Sequence, residues 1–200
     1  MEYSVLMTVY GKDNPDYFKM ALMSMVTQTK KADEIVVVKD GPITRELQKV
    51  LDDMDNQNPN LIVQVQLPAN KGLGLALNEG IKVCKNELLA RMDSDDISLP
   101  TRCEKQVAEF EKNSDLDIVG CPVIEPDNEV GKRNVPFDNV AIHKYCRKRD
   151  PFNHPTVMYR KSKVEAVGGY GNLRKNQDTD LWIKMLSNGA VCKNLTEYLL

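Results

Sequence analysis

An α/β fold with a mainly parallel central sheet, flanked by helices, is what the sequence predicts. Three observations predict it. Strand-like and helix-like hydrophobic patterns alternate through residues 1–125, and alternation at that spacing builds βαβ units. Three polar clusters, Asp40, Asn70-Lys71-Gly72 and Asp93-Ser94-Asp95-Asp96, stand where strands are expected to end. In such sheets ligands bind beyond the carboxyl ends of the strands, so the clusters should converge on one crevice. The length, 200 residues, suits one domain with a sizeable core.

Each element has a local reason. Residues 3–9 read as a buried strand. Asn14-Pro15 starts a helix, because Asn caps and Pro suits the first turn. Phe18, Leu22, Met25 and Val26 share one side of it. A second strand, 34–39, ends in the turn signal Asp40-Gly41-Pro42. A helix of mixed polarity over 43–56 and a strand over 61–67 follow. A helix over 72–84 presents Leu73, Leu77, Ile81 and Cys84, and a fourth strand spans 87–92. Helix 99–112 and strand 118–124 complete the first half. The second half, from about 126, is less regular. It suggests short strands at 130–135 and 154–160, helices at 138–149 and 177–187, a flexible loop at Gly168-Gly169-Tyr170-Gly171, and strand character from 189 to 200. With no repeat or linker, residues 1–200 read as a single domain with a nucleotide-type half and a variable half.

Composition excludes several classes. Hydrophobic residues make up 42% and the net charge is −2, which argues against disorder and against a general nucleic-acid binder. Apolar stretches such as Ile35–Val38 are far shorter than the ~20 residues of a membrane span. Five cysteines without a Cys-x-x-Cys fit reduced thiols in a cytoplasmic protein. Only two histidines are present, so zinc is not expected. From the strand-like start we expect no signal peptide. The abrupt end at Thr196–Leu200 leads us to expect a protein that continues further.

The carboxylates at 93, 95 and 96 repel one another unless a cation or donor offsets them. Hard divalent cations take oxygen ligands, and magnesium is usually held by one or two carboxylates plus substrate phosphates. In an extended segment Asp93 and Asp95 face the same way. Taken alone, the cluster reads equally as a solvated turn capping the next helix. Its place at a strand end beside Asp40 favours metal and phosphate.

Thr8-Val9-Tyr10, Asp40-Gly41, Asn70-Lys71-Gly72, the aspartate cluster, Gly168-Gly169-Tyr170 and Gln177-Asp178-Thr179-Asp180-Leu181-Trp182 follow one another in order. In that order the chain, from residue 3 to 200, resembles an inverting glycosyltransferase of family 2 with the GT-A, or nucleotide-diphospho-sugar transferase, fold. It is most similar to the bacterial branch that builds exopolysaccharide, capsule and O-antigen repeats, including amylovoran biosynthesis enzymes. The resemblance implies Mn²⁺ or Mg²⁺, a nucleotide-diphospho sugar donor, expected to be a UDP-sugar, and a glycan or lipid-linked acceptor. It implies that Thr8 and Tyr10 line the base pocket and that Asp40 binds uracil or ribose. Asn70, Lys71 and Gly72 would flank the nucleotide sugar. Asp93 and Asp95 would form the Asp-x-Asp motif, with Asp95 the direct metal ligand and Asp96 at the donor sugar or supporting the loop. Asp178 would be the catalytic base, with Asp180 its rival. Gln177 stands where the family usually has Glu. His154, in Asn153-His154-Pro155-Thr156, and Trp182 would lie on the acceptor side.

Other readings are weighed on the same residues. Gly72-Leu73-Gly74-Leu75-Ala76-Leu77 lacks the third small residue of a dinucleotide site and follows the third strand. A lone histidine such as His154 is more often a hydrogen-bonded structural residue than a ligand, Trp182 reads as core against the sheet, and Asp178 reads also as a helix cap. Lys144, Arg147, Lys148 and Arg149 suit a solvated helix face or peripheral contact with the inner membrane. A sugar-phosphate nucleotidyltransferase would want a Gly-rich basic loop where Tyr10-Gly11-Lys12-Asp13-Asn14 stands. A non-catalytic nucleotide-sugar-binding domain is favoured only by Gln177.

Overall fold

The first strand, β1 (Tyr3–Val9), is buried at every position, so it belongs in the middle of a sheet covered on both sides. A computed structural model, which describes residues 1–125 and 131–200, puts it there. β2 (Glu34–Lys39), β3 (Ile62–Gln66), β4 (Leu88–Met92), β5 (Leu116–Gly120), β8 (Met158–Arg160) and β9 (Val191–Asn194) complete a seven-stranded sheet of order β3-β2-β1-β4-β8-β5-β9. β1 is parallel to β2 and β4, and β2 to β3. β8 runs antiparallel to both β4 and β5, and β9 is parallel to β5. The sheet is therefore mainly parallel, as expected. Its order reverses beside β1, which opens a crevice at that end of the strands.

Alternation divides the core. Val5, Met7, Ile35, Val37, Ala90 and Met92 pack on one face, with Phe18 and Leu22 of α1 (Pro15–Val26), Leu47 and Leu51 of α2 (Arg45–Gln57) and Val107 of α4 (Arg102–Lys112). Leu6, Val36, Val38 and Leu89 pack on the other. That face takes Leu77 and Ile81 of α3 (Leu73–Val83), Ile142 of α5 (Asn139–Cys146), Val164 of α6 (Lys161–Ala166), and Leu181 and Trp182 of α7 (Gln177–Ser187). α3 lies close on the sheet because residue 80 is glycine: a Cβ there would stand 2.3 Å from Leu6 Cδ1 and 2.7 Å from Val38 Cγ2.

Caps explain several boundaries. Asn14 Oδ1 accepts from the N–H groups of Asp16 (2.8 Å) and Tyr17 (3.2 Å), with Pro15 in the first turn. Thr44 Oγ1 accepts from Leu47 N, so α2 starts after it. α4 begins at Arg102, not at 99, because Leu99 precedes a proline and its N–H goes to Leu199 O instead.

The second half differs more from expectation. The strand expected over 118–124 is two pieces. β5 stops at Gly120, Cys121 N donates to Thr156 Oγ1, and Pro122 has no N–H for the ladder. β6 (Val123–Ile124) then pairs with β7 (Lys132–Arg133) in a separate ladder. Of the strand expected over 130–135, residue 130 lies outside the described residues. His154–Thr156 is a 3-10 turn built on Pro155, and only 158–160 is strand. The helix expected to reach 149 stops at Cys146, and α6 was not foreseen. Strand character after 189 is confined to β9, beyond which Leu195 N still reaches Gly120 O. Gly168 and Gly169 have φ of 81° and 70°, yet the segment is clamped rather than flexible. Asn78 Oδ1 accepts from Tyr170 N and Asn78 Nδ2 donates to Tyr170 O, both at 2.9 Å.

Candidate active site

The crevice at the ends of β1, β2 and β4 is a cleft of about 510 Å³. It brings together Thr8 and Tyr10 after β1, Asp40 after β2, Asn70 and Gly72 before α3, and Asp93 and Asp95 after β4. The predicted convergence of three clusters is thus present. Lys71 gives only its backbone N–H, and its exposed side chain stays outside the lining.

Asp40 is built into the frame of the cleft. It is 5% exposed. Its Oδ1 accepts from Lys71 N (2.7 Å) and its Oδ2 from Gly72 N (3.0 Å). Gly72, with φ 90°, is the N-cap of α3 and has no side chain to do this work, so a carboxylate from β2 satisfies the loop amides before the helix. Asn70 Nδ2 leans on the Asp40 carbonyl oxygen at 3.3 Å. Gly41, at φ 86°, lets the β2 turn pass here, since a Cβ would stand 2.6 Å from Asn70 N. A carboxylate has about four lone-pair sites, so Asp40 keeps acceptor capacity beyond these two bonds.

Oxygens of Asp93, Asp95 and Asp96 lie within 4.8 Å of one another. Asp93 and Asp95 line the cleft and Asp96 does not, as the extended segment predicts. The Asp96 carboxyl is pushed up to about 6, first by burial and then by the charges of Asp93 and Asp95, against the pull of Arg91 and Arg102. Such a cluster relaxes when a divalent cation enters. An all-oxygen donor set suits Mg²⁺ or Mn²⁺, so these residues fit the implied metal. Asp93 is committed on one side: its Oδ1 pairs with Arg91 Nη2.

Asp13 is the cleft residue that sequence reasoning missed. Its Oδ2 accepts from Tyr10 N (3.1 Å), and Ser94 also bonds to it. Burial, then the charges of Asp95 and Asp93, hold its carboxyl above the usual range. Its signal was an acidic residue in the turn after β1, masked by the adjacent Asn14-Pro15 helix start.

Across the sheet, α7 begins at Gln177 with Asn176 in left-handed conformation and no side-chain cap. Asp178 is therefore not a cap by hydrogen bonding. Among the described residues its carboxylate has no hydrogen-bond or ion-pair partner. Its neighbours are engaged. Thr179 Oγ1 bonds to Asp150, and Asp180 pairs with Lys184 at 2.6 Å. Gln177 is half-buried, and its Cβ packs α7 toward Gly74 of α3. The negative charges of Asp178 and Asp93 both act on the Tyr170 hydroxyl, which links the start of α7 to the aspartate loop.

Trp182 and His154, which the resemblance puts on the acceptor side, are both buried, as their residue types alone suggest. Trp182 is fully buried and packs edge-on to Phe152, centroids 5.2 Å apart. His154 is buried, with Nε2 3.0 Å from the Tyr170 hydroxyl and its ring 5.9 Å from Trp182. Burial, then the charge of Arg91, holds its pKa well below the usual value, so it is neutral. The physical reason is the same for both: α7 and the 3-10 turn turn their large rings inward to cover the sheet.

Residues 4–168 match the family description "Glycosyl transferase family 2". The amylovoran biosynthesis glycosyltransferase AmsE of Erwinia amylovora is 40% identical over 99% of this chain and 74% of its own length. The UDP-Gal:alpha-D-GlcNAc-diphosphoundecaprenol beta-1,3-galactosyltransferase of Escherichia coli is 38% identical over 99% of this chain and 72% of its own length. The S. aureus TarS crystal structure superposes with a TM-score of 0.80 at 20% identity, over 100% of this chain and 36% of that one. The chain thus spans about three quarters of the first two proteins and about a third of TarS. The cleft at the reversal of a mainly parallel sheet is that of the GT-A fold, and the chain belongs to glycosyl transferase family 2.

Proposed function

We propose that the chain moves a sugar from a UDP-sugar to a hydroxyl of a lipid-linked saccharide, with inversion at the anomeric carbon and with Mn²⁺ or Mg²⁺. The observation that carries the reading is an uncommitted carboxylate, Asp178, on a helix whose Gln177 packs at Gly74, two residues past Gly72 of a cleft whose aspartate loop suits a cation. A bound divalent cation supplies Lewis-acid neutralisation of the departing diphosphate. Asp95, with the free side of Asp93, would hold it. Thr8 and Tyr10 bracket the base, and Asp40 fixes the loop before α3 against which the nucleotide lies. Asp178 takes the proton of the attacking hydroxyl, so a single displacement suffices and no covalent intermediate is required. Gln177 in place of Glu favours a second reading, a non-catalytic nucleotide-sugar-binding domain, against which the free Asp178 weighs.

Calorimetric titration of UDP, GDP and dTDP, with and without Mn²⁺, tests the donor half of the reading. We expect UDP to bind with Mn²⁺ and to bind much less without it. Absence of binding by any of the three, under both conditions, overturns the reading.

The galactosyltransferase relative names an acceptor on diphosphoundecaprenol, which supports a lipid-linked acceptor here. No helix among the described residues is long and apolar enough to cross a membrane. Lys144, Arg147, Lys148 and Arg149 are exposed and have no ion-pair partner among the described residues, and Lys144 and Arg147 share a surface cleft with Val140, which is 77% exposed. Peripheral contact with anionic lipid follows, at about 1 kcal/mol per basic residue. Sedimentation with phosphatidylglycerol vesicles should fall on the double change Arg147→Glu/Lys148→Glu. Equal sedimentation of both proteins sinks the idea.

A further inference from the structure

A fully buried arginine lies beneath the site, and the transfer chemistry does not use it. Arg91 stands in β4 between Ala90 and Met92, which face α1, α2 and α4. Alternation turns Arg91 to the opposite face, the one covered by α3 and α7. On that face lies a cluster of buried polar aromatics. The Tyr170 hydroxyl is 3.0 Å from His154 Nε2 and 3.4 Å from the Tyr159 hydroxyl, and the charge of Arg91 acts on all three. Nε and Nη1 of Arg91 have no hydrogen-bond partner among the described residues, and its one salt bridge is Nη2 to Asp93.

Burying a guanidinium costs several kcal/mol even when it is paired, and an apolar residue would pack this position more cheaply. The carboxylate that balances it is two residues along the same strand direction and heads the aspartate loop. The geometry points to Arg91 as a positioning residue, which anchors one oxygen of Asp93 so that the free side of Asp93 and Asp95 face the cleft where a cation would sit. Arg91 touches no substrate and acts through Asp93. The inference rests on the transferase reading above.

The test is a cycle of Arg91→Met, Asp93→Asn and the double variant, with Arg91→Lys alongside. Titration with UDP is run with and without Mn²⁺, and thermal unfolding checks that each variant folds. Supporting groups behind metal ligands typically contribute about 10–100-fold in metal affinity, so Arg91→Met should weaken Mn²⁺-dependent UDP binding by at least about tenfold. Lys keeps the charge but not the planar fork, so Arg91→Lys should fall between. UDP binding without Mn²⁺ should change little, an outcome that general loosening of the core would not produce. Because Arg91 acts through Asp93, the double variant should bind within about twofold of Asp93→Asn alone. If Arg91→Met does not fold, Arg91→Lys decides. Folded variants that bind like the unmodified chain, or losses that multiply in the double variant, overturn the positioning role alone. Failure of the unmodified chain to bind UDP with Mn²⁺ overturns the transferase reading, and the positioning role with it.

Discussion

Asp178→Asn is expected to lower the rate of sugar transfer by about 10²–10⁴-fold, the usual contribution of a positioned base, while leaving Mn²⁺·UDP affinity nearly unchanged. The amide has the shape of the carboxylate but cannot take a proton. Asp178 is the carboxylate at the start of α7 that no other described side chain has claimed, whereas Asp180 is already held by Lys184. Loss in turnover without loss in donor binding is the signature of an interaction made in the transition state. Release of UDP from a UDP-sugar with water as acceptor measures it without knowledge of the natural acceptor. Asp180→Asn is the control, and it should retain most of the rate. The opposite ranking, with Asp180→Asn inactive and Asp178→Asn active, would move the base two residues along the helix.

Asp95→Ala should abolish the Mn²⁺-dependent part of nucleotide binding, because it removes the proposed ligand, a carboxylate that lines the cleft and has no side-chain partner among the described residues. The same loop predicts a pH dependence. In the folded chain the Asp96 carboxyl titrates at about 6, raised mainly by burial and then by Asp93 and Asp95. Between the ordinary carboxylate range of about 4 and that value, the folded chain holds a proton that the unfolded chain does not. Without a cation, stability therefore falls as pH rises through this window. A cation competes with that proton, so its affinity should rise as pH increases through about 6. Asp96→Asn should flatten the pH dependence and raise the thermal stability of the cation-free protein at neutral pH. Titrations of Mn²⁺ with UDP at pH 5 and pH 7.5 check the first statement. Equal affinity at the two values, in the unmodified chain, would show that Asp96 does not compete with the cation.

What could be read without the structure was whatever a short stretch of chain carries within itself. The alternation of strand and helix through residue 125 needs only local periodicity, and the sheet that results follows from it. Asn14-Pro15 and Thr44 are complete signals, since cap and helix lie within three residues. The aspartate loop is likewise a contiguous word, and its place at a strand end already aimed it at a ligand. What only the tertiary structure decided depends on residues far apart in the chain. Asp40 satisfies amides some thirty residues away. Arg91 is one charge inside a strand that reads as apolar, and its burial and its pairing with Asp93 appear only in the folded chain. Asp178 and Asp180 look equivalent until Lys184 binds one of them. Trp182 and His154 read as core and structural residues by type, but the partners that bury them, Phe152 and Tyr170, come from elsewhere in the chain. Periodicity and capping are contests among neighbours along the chain, whereas burial and charge pairing are settled by whatever the fold brings alongside.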